Sequence, residues 1–314
     1  MSRRDTLLAA LVACIWGFNF VVIDWGMGDV PPLLFASIRF ALVAVPACLL
    51  VRRPQAPWRT VVAVGVFMSV GQFGFLYASM HAGMPPGLAA LVLQAQVVLT
   101  VLIAAGVLRE RPSGGQVAGV LVGVVGLMVV GLGRGGHVPA TALLLCLAAA
   151  LSWAIGNVVS RAARLTGGGL SLTVWSALVV PVPLLVLSVL LDGPGAVGDG
   201  FRAFGWHAAF STVYTAGLAS LVGYGLFNTL LARNPSSAVV PWVLLAPVVA
   251  AASAWPLRGE VPNTAQVTGG ALLLLGVLVA QGFLKRLPGS AHRSAAPVAP
   301  DTADPVPSRQ PLLR

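Results

Sequence analysis

The chain has 314 residues, of which 57% are hydrophobic and only 9% are charged. Soluble domains carry about 25% charged residues, so an ordinary water-facing surface is excluded and the lipid bilayer is the expected surrounding. The formal net charge of +10 does not indicate nucleic-acid binding. The basic residues stand singly or in pairs between apolar runs, as residues that set membrane topology do.

Ten apolar runs are long enough to span a bilayer, which takes about 20 residues. They lie at 6–26, 31–51, 60–80, 85–108, 114–132, 139–160, 170–191, 208–231, 236–257 and 263–284. Backbone groups in lipid must pair internally and the runs lack the alternation of barrel strands, so each is predicted to be a helix. The first run follows MSRR, as in a signal peptide, but it is long enough to span and is expected to be retained.

A charged break between two apolar runs occurs twice in the chain, about 150 residues apart. The matching pairs are Glu110 and Glu260, Pro112 and Pro262, Gln116 and Gln266, Gly119 and Gly269, and Gly126 and Gly276. Residues 1–133 and 134–287 are therefore predicted to be two copies of one unit. Five spans per copy is an odd number, so the second copy must be inverted relative to the first. The proline-rich remainder, 288–314, is predicted to be a disordered cytoplasmic tail.

Arginine and lysine residues predict the orientation. With the N-terminus in the cytoplasm, only Arg134, Arg202 and Arg258 fall in outer segments, and Arg39 lies within a span. Cytoplasmic loops are enriched in these residues, so both termini are predicted to be cytoplasmic. The duplication explains the exception at Arg258, whose repeat counterpart is taken to be Arg109 on the inner side.

Each copy of the charged break is expected to begin a helix. Proline is tolerated in a first turn and an acid complements the helix dipole there, which suits Glu110 with Pro112 and Glu260 with Pro262. A role of these acids in ion coupling is the alternative. Asp24 and Glu110 are the nearest candidates for a proton carrier, because no carboxylate lies deep in a span.

Small residues mark one face of the fifth span. Gly115, Gly119 and Gly123 recur every fourth residue, which is the pattern of close helix contact in membranes. Two partners fit this pattern, the other repeat or a second copy of the chain in a homodimer.

Trp16 and Asn19 in the first span resemble Trp153 and Asn157 in the sixth. Polar side chains in lipid are costly and usually face the bundle interior. These residues are therefore candidates for paired walls of a substrate cavity. The alternative is that the two asparagines bond neighbouring helices.

Arg39 is the clearest charge inside a span, where insertion scales assign arginine about 2.5–3.5 kcal/mol. The functional interpretation is that it meets a substrate carboxylate or phosphate. The alternative is an ion pair with Asp24 or Asp29, or contacts with helix carbonyls.

Further polar candidates lie in the third, fourth and eighth spans. They are Gln72, Gln94, Gln96, Tyr224 and Asn228. Gln94 and Gln96 are two residues apart and cannot share a helix face, so one of them is expected to bond a neighbouring helix. Tyr224 and Asn228 are four apart and can share a face.

Catalytic, metal and cofactor sites are not expected. Cys14, Cys48 and Cys146 lie in apolar runs and are interpreted as small buried side chains. The four histidines lie in loops or at span edges, with no clustered carboxylates, which argues against an embedded hydrolase or metalloenzyme.

Over residues 5–285 the chain resembles the EamA family of the drug/metabolite transporter superfamily. The resemblance lies in WGFNFVVI, MPPGLAALVLQAQ, LRERPSGGQVAG and SWAIGNVVSR. It implies ten spans from two inverted five-helix repeats in the inner membrane. It also implies export of a small polar metabolite, such as cysteine, O-acetylserine or another amino-acid derivative.

Other functions are weighed against this one. Within the same class, the cargo could be a drug, a nucleotide precursor or a lipid-linked sugar. A membrane enzyme would need clustered titratable groups, and a scaffold would not need matched polar residues at mid-span. The energy source, whether facilitated efflux, proton antiport or exchange, is left open by the sequence.

Overall fold

The computed structural model describes residues 1–133, 138–163 and 169–282, and the regular secondary structure in these ranges is all helical. The main helices are α1 (Arg3–Met27), α2 (Pro32–Leu50), α3 (Trp58–His81), α4 (Pro86–Val107), α5 (Gly114–Leu132), α6 (Ala140–Ala162), α7 (Ser171–Leu191), α8 (Trp206–Arg233), α9 (Ala238–Arg258) and α10 (Thr264–Ala280). Among the described residues, nine are long and apolar enough to cross a membrane, and α10 has 17 residues. The ten predicted helices are confirmed. The predicted tail lies outside the described residues.

Both α5 and α10 begin at a capping box. Ser113 accepts from the backbone N–H of Gln116, whose side chain accepts in turn from the Ser113 N–H. Asn263 and Gln266 repeat this arrangement before α10. The expectation that Pro112 and Pro262 lie in the first helical turns is wrong, because each proline precedes the residue that caps the helix. The duplicated glutamines are explained by the capping box, which satisfies two otherwise unpaired N–H groups.

The preceding helices, α4 and α9, also end alike. The N–H of Glu110 bonds the carbonyl of Ala104, and the N–H of Glu260 bonds that of Ala254, as in a Schellman cap. Such a cap needs a left-handed residue, which is Arg109 at φ 54° and Gly259 at φ 70°. The repeat counterpart of Arg109 is therefore Gly259, which corrects the assignment to Arg258.

Helices α5 and α10 pack against each other through glycine. A Cβ on Gly119 would lie 2.5 Å from the carbonyl oxygen of Gly276, and one on Gly126 would lie 2.6 Å from that of Gly269. Rising numbers on one helix meet falling numbers on the other, so the pair is antiparallel. Gly119 also corresponds to Gly269, and Gly126 to Gly276, so the contact repeats itself under exchange of the helices. The glycine pattern thus serves contact between the repeats.

Five helices contain irregular backbone near mid-length, and four of them form matching pairs; the fifth, α7, is interrupted after Ala177 and resumes at Pro181. Helix α4 is interrupted after Val92 and resumes at Ala95, and α9 is interrupted after Val243 and resumes at Ala246. Helices α3 and α8 contain π-helical segments, at Val66–Gly71 and Tyr214–Gly223. Irregular backbone at membrane depth is tolerated only where protein or a water-filled cavity receives its polar groups.

The largest apolar core lies among α1, α2, α3, α4, α6 and α7. Phe35 of α2, Tyr77 of α3, Val92 of α4, Cys146 of α6 and Leu184 of α7 are each at most 1% exposed. Helices α3 and α6, which contain several of the candidate polar residues, pack into this core.

The two ends of the α4–α9 pair differ. The first half of α4 packs on the second half of α9, where a Cβ on Gly87 would lie 2.9 Å from the Cα of Ala251. Among the described residues no comparable packing joins the second half of α4 to the first half of α9. The helix bundle is therefore closed at the end that carries Gly87.

Candidate functional site

Trp16 and Asn19 join α1 to the π-helical segment of α8. Trp16 Nε1 donates to the carbonyl of Ala219 at 2.9 Å, and its ring centroid lies 5.1 Å from that of Tyr224. Thr215 Oγ1 donates to Asn19 Oδ1 at 2.8 Å. A π-helical turn departs from the ordinary hydrogen-bond pattern of an α-helix. Here one of its carbonyl groups accepts the hydrogen bond from the Trp16 indole. Among the described residues, the Asn19 amide nitrogen has no partner.

Asn157 joins α6 to α4. Its Nδ2 donates to Gln96 Oε1 at 3.0 Å and lies 3.4 Å from Thr100 Oγ1. Gln96 is therefore the glutamine of the pair that bonds a neighbouring helix. Gln94 lies in the interruption of α4 and is buried, and within the described ranges its side chain has no hydrogen-bond partner.

Arg39 is buried between α2 and α3. Its Nη1 donates to the hydroxyl of Tyr77 at 3.0 Å, and its guanidinium lies 4.4 Å from the ring centre of Phe73. The expected alternative, a pair with Asp24 or Asp29, is wrong. Cation–π contact and a phenol stabilise the guanidinium without neutralising it, and its buried Nε has no partner in the described structure. A buried cation without an acidic partner favours an anionic ligand.

The remaining candidates are more dispersed. Gln72 is buried immediately after the π-helical segment of α3, and its side chain has no hydrogen-bond partner among the described residues. Trp153 is half-buried and packs against the main core. Tyr224 and Asn228 are both exposed on α8.

The structure thus divides the candidates into sets. Trp16, Asn19 and Tyr224 meet at α1 and α8, whereas Gln96 and Asn157 meet at α4 and α6. No hydrogen bond or ring contact joins these two sets within the described residues. The asparagines predicted as opposing walls therefore lie in separate hydrogen-bonded pairs.

Sequence reasoning missed three polar partners, which are Tyr77, Thr100 and Thr215. Tyr77 is one of only three tyrosines in the chain, and its place in the same span as Gln72 could have drawn notice. The two threonines gave no such signal, because threonine in a span commonly bonds its own helix. Thr100 does so, donating to the carbonyl of Gln96 at 2.6 Å.

The two candidate proton carriers, Asp24 and Glu110, each form an ion pair. Asp24 pairs with Arg258 at 2.5 Å, and Glu110 pairs with Arg161 at 2.9 Å. The first pair links the end of α1 to the end of α9, and the second links the α4–α5 loop to the end of α6. Both acids are thus engaged in contacts between helix ends.

Glu260, in the loop between α9 and α10, has the most unusual environment among the loop acids described. Its Oε2 accepts from the N–H of Gly87 at 3.2 Å. Burial raises the pKa of Glu260 to about 7, the nearby Asp24 adding to this effect while the Gly87 N–H and Arg258 oppose it. Glu260 therefore titrates near neutrality.

A cavity of about 710 Å³ opens beside Glu260, between α4, α9 and α10. None of the ten candidate residues lines it. The predicted substrate site and this cavity are thus different places in the molecule.

Metal ligands do not cluster in the described part of the chain, where no group of three His, Cys, Asp or Glu could hold an ion. The cysteines are free, but only Cys146 is buried. The expectation of burial is wrong for Cys14, which is exposed, and for Cys48, which is partly so.

Comparison with known proteins gives a consistent result. The model of the EamA-like transporter family matches residues 5–132 and again residues 140–281. A probable amino-acid metabolite efflux pump of Salmonella typhimurium is 40% identical over 284 residues, covering 89% of this chain and 95% of that protein. Its namesake in Escherichia coli K12 is 39% identical, with the same coverage.

Two more distant likenesses extend the comparison. A probable terminal-alkyne amino-acid exporter of Streptantibioticus cattleyicolor is 31% identical over 291 residues, covering 86% of this chain and 93% of that protein. One crystal structure aligns with a TM-score of 0.58 at 24% identity, covering 92% of this chain and all of that one. At this identity the likeness establishes the fold alone.

Proposed function

The chain belongs to the EamA-like transporter family, and from that premise we propose that it exports an amino acid or amino-acid derivative, such as cysteine or O-acetylserine. The Salmonella relative is a probable amino-acid metabolite efflux pump and the Streptantibioticus relative is a probable terminal-alkyne amino-acid exporter, which supports this cargo. A relative at 27% identity is described as an inner membrane transporter, which supports export across the cytoplasmic membrane.

The proposed architecture is two inverted five-helix repeats with both termini in the cytoplasm. The antiparallel glycine contact between α5 and α10 supports the inversion, as do the duplicated caps around Glu110 and Glu260. The distribution of arginine supports the orientation. In this orientation the Glu260 end is outside, and the packing of Gly87 on Ala251 closes the outer side.

The observation that carries the proposed substrate is the environment of Arg39. Its charge is buried with an unpartnered Nε and has no acidic partner among the described residues. A substrate carboxylate would supply the missing charge, and a guanidinium presents several donors for it. The substrate ammonium would then face acceptor and aromatic groups of the other candidates, such as Gln94, Trp16 and Tyr224.

Transport would occur when the two repeats exchange their conformations. The interruptions in α4 and α9 allow each half-helix to move, and discontinuous helices near mid-membrane are typical of substrate sites in secondary transporters. Opening of the outer contact and closure of the inner halves would expose the same site to the other side. One chain contains both repeats, so a homodimer is not required for this cycle. If one forms, it must use a surface other than the glycine contact.

Counterflow in proteoliposomes tests the function. Vesicles are preloaded with unlabelled cysteine or O-acetylserine, and labelled substrate is added outside across a panel of amino acids. We expect transient accumulation above that of protein-free vesicles for an amino-acid metabolite. No accumulation for the whole panel, from protein shown to be folded, would overturn the proposed cargo.

A double substitution tests the site. We expect Asn19→Ala with Asn157→Ala to reduce counterflow at least about tenfold, because each loss removes polar groups at the proposed substrate site. Asn234→Ala is the matched control, since Asn234 also makes a side-chain bond, to Asp5, but lies at a helix end. Unchanged transport in the double variant, at equal expression, would remove both asparagines from the site.

A further inference from the structure

The cavity of about 710 Å³ next to Glu260 opens sideways toward the bilayer. Val248, Val261 and Val267 line it, and these side chains are 51%, 72% and 58% exposed. Exposed valines on membrane-spanning helices and at their ends meet lipid. The cavity is thus accessible from the membrane.

The depth of the cavity corresponds to one leaflet. Along α10 it runs from Gln266 to Leu274, which is about 12 Å at 1.5 Å per residue. Half of the hydrocarbon core measures about 15 Å. One end therefore lies near the headgroups, at Glu260, and the other near the bilayer centre, as an acyl chain does.

The headgroup end carries unbalanced negative charge when Glu260 is ionised. Asp24 and Arg258 pair with each other, which leaves the charge of Glu260 without a cationic partner in direct contact. Glu260 Oε2 accepts from Gly87, and its other oxygen has no partner among the described residues. Gln266 uses its Oε1 in the capping box, while its Nε2 has no partner within the described ranges. The site thus offers an anionic acceptor beside an amide donor.

We propose that this cavity binds a phospholipid with a primary ammonium headgroup, phosphatidylethanolamine, in the leaflet at the Glu260 end. One acyl chain lies along α10 and reaches Leu274. The ammonium donates to Glu260, and a phosphate or ester oxygen accepts from Gln266. This lipid site is separate from the proposed substrate site. Lipid binding there does not depend on which metabolite is exported.

Native mass spectrometry tests the proposal on the full chain. The protein is delipidated in detergent and mixed with equal amounts of dioleoyl phosphatidylethanolamine and dioleoyl phosphatidylglycerol, which share their acyl chains. We expect the first lipid retained to be phosphatidylethanolamine, by about tenfold, because a charge-assisted hydrogen bond distinguishes the two. Glu260→Gln should abolish the preference while still accepting from Gly87. Glu110→Gln, at the opposite end, should leave it unchanged.

A second variant tests the acyl-chain part. Ala271 lines the cavity and is exposed, so Ala271→Phe can fill the cavity without overpacking the interior. We expect it to lose the retained lipid while keeping the unfolding temperature of the parent. Equal retention of the two lipids by the parent chain would overturn the proposal. So would an undiminished preference in folded Glu260→Gln.

Discussion

At the scale of single residues, burial without neutralisation distinguishes Arg39. Most buried charges are paired, yet Arg39 is held by a phenol and two aromatic rings. A structural ion pair would have used an acid from a neighbouring helix, and Asp24 is instead bound to Arg258. This arrangement leaves the guanidinium able to bind an anion.

The Arg39–Tyr77 bond should be needed for stability. We expect Tyr77→Phe to lower the free energy of unfolding by about 1–3 kcal/mol, because a buried charged donor loses its acceptor. Thermal unfolding in detergent measures this. Tyr224→Phe is the control, since the Tyr224 hydroxyl makes no hydrogen bond among the described residues. Equal effects of the two substitutions would contradict a specific role for Tyr77.

Glu260 should make stability depend on pH. Its folded pKa of about 7 lies above the ordinary 4.5, so the folded chain binds a proton between these values that the unfolded chain does not. Stability should therefore fall as pH rises from about 4.5 to 7, by about 1–3 kcal/mol for this group. Unfolding temperatures across this range should show the slope in the parent and in Glu110→Gln, but not in Glu260→Gln. The same slope in Glu260→Gln would assign it elsewhere.

At the scale of elements, the two copies solve the same local problem with different residues. Each must end one helix, cross a short break and begin the next. The left-handed position is occupied by arginine in one copy and by glycine in the other. The helix caps are serine and asparagine. Short polar side chains are interchangeable as caps, whereas arginine is strained where glycine is not.

This strain gives a prediction for Arg109. We expect Arg109→Gly to raise the free energy of unfolding by up to about 1 kcal/mol, and Gly259→Ala to lower it by a similar amount. Unfolding temperatures in detergent check both changes. Arg109→Ala is the control, because it removes the charge but keeps a Cβ in the left-handed conformation. If Arg109→Ala stabilises as much as Arg109→Gly, charge and not backbone strain is the cause.

At the scale of the whole molecule, the two repeats are related in sequence but not identical in conformation. The α4–α9 contact is closed at the Gly87 end and has no comparable counterpart at the other end among the described residues. Glu260 bonds the start of α4, whereas its counterpart Glu110 bonds Arg161. An asymmetric pair of similar repeats can exchange conformations, which is the physical basis of alternating access.

Locking the closed end should stop transport. A Cβ on Gly87 would lie 3.4 Å from that of Ala251 but only 2.9 Å from its Cα, so α4 and α9 must separate slightly to reach disulfide geometry. In a background without native cysteines, we expect Gly87→Cys with Ala251→Cys to cross-link under mild oxidation and abolish counterflow, with recovery on reduction. Ala251→Cys with Gly106→Cys is the control, since Gly106 has no atoms near its Cβ position. Full transport by fully cross-linked protein would show that this contact need not open.

The sequence alone determined the helices and the repeat, because both depend on local properties. Apolar length specifies a membrane helix, and the duplicated Glu110 and Glu260 segments could be matched directly. It also identified Arg39, Asn19, Gln96 and Asn157 as polar residues in apolar spans.

Only the tertiary structure decided the partners of these residues. Arg39 meets Tyr77, Asn19 meets Thr215, and Asn157 meets Gln96, and each contact depends on how helices rotate and cross. The π-helical segments and the burial of Glu260 depend in the same way on packing between distant parts of the chain. Hydropathy and spacing report the depth of a residue in the membrane, but helix packing determines which side chains meet there.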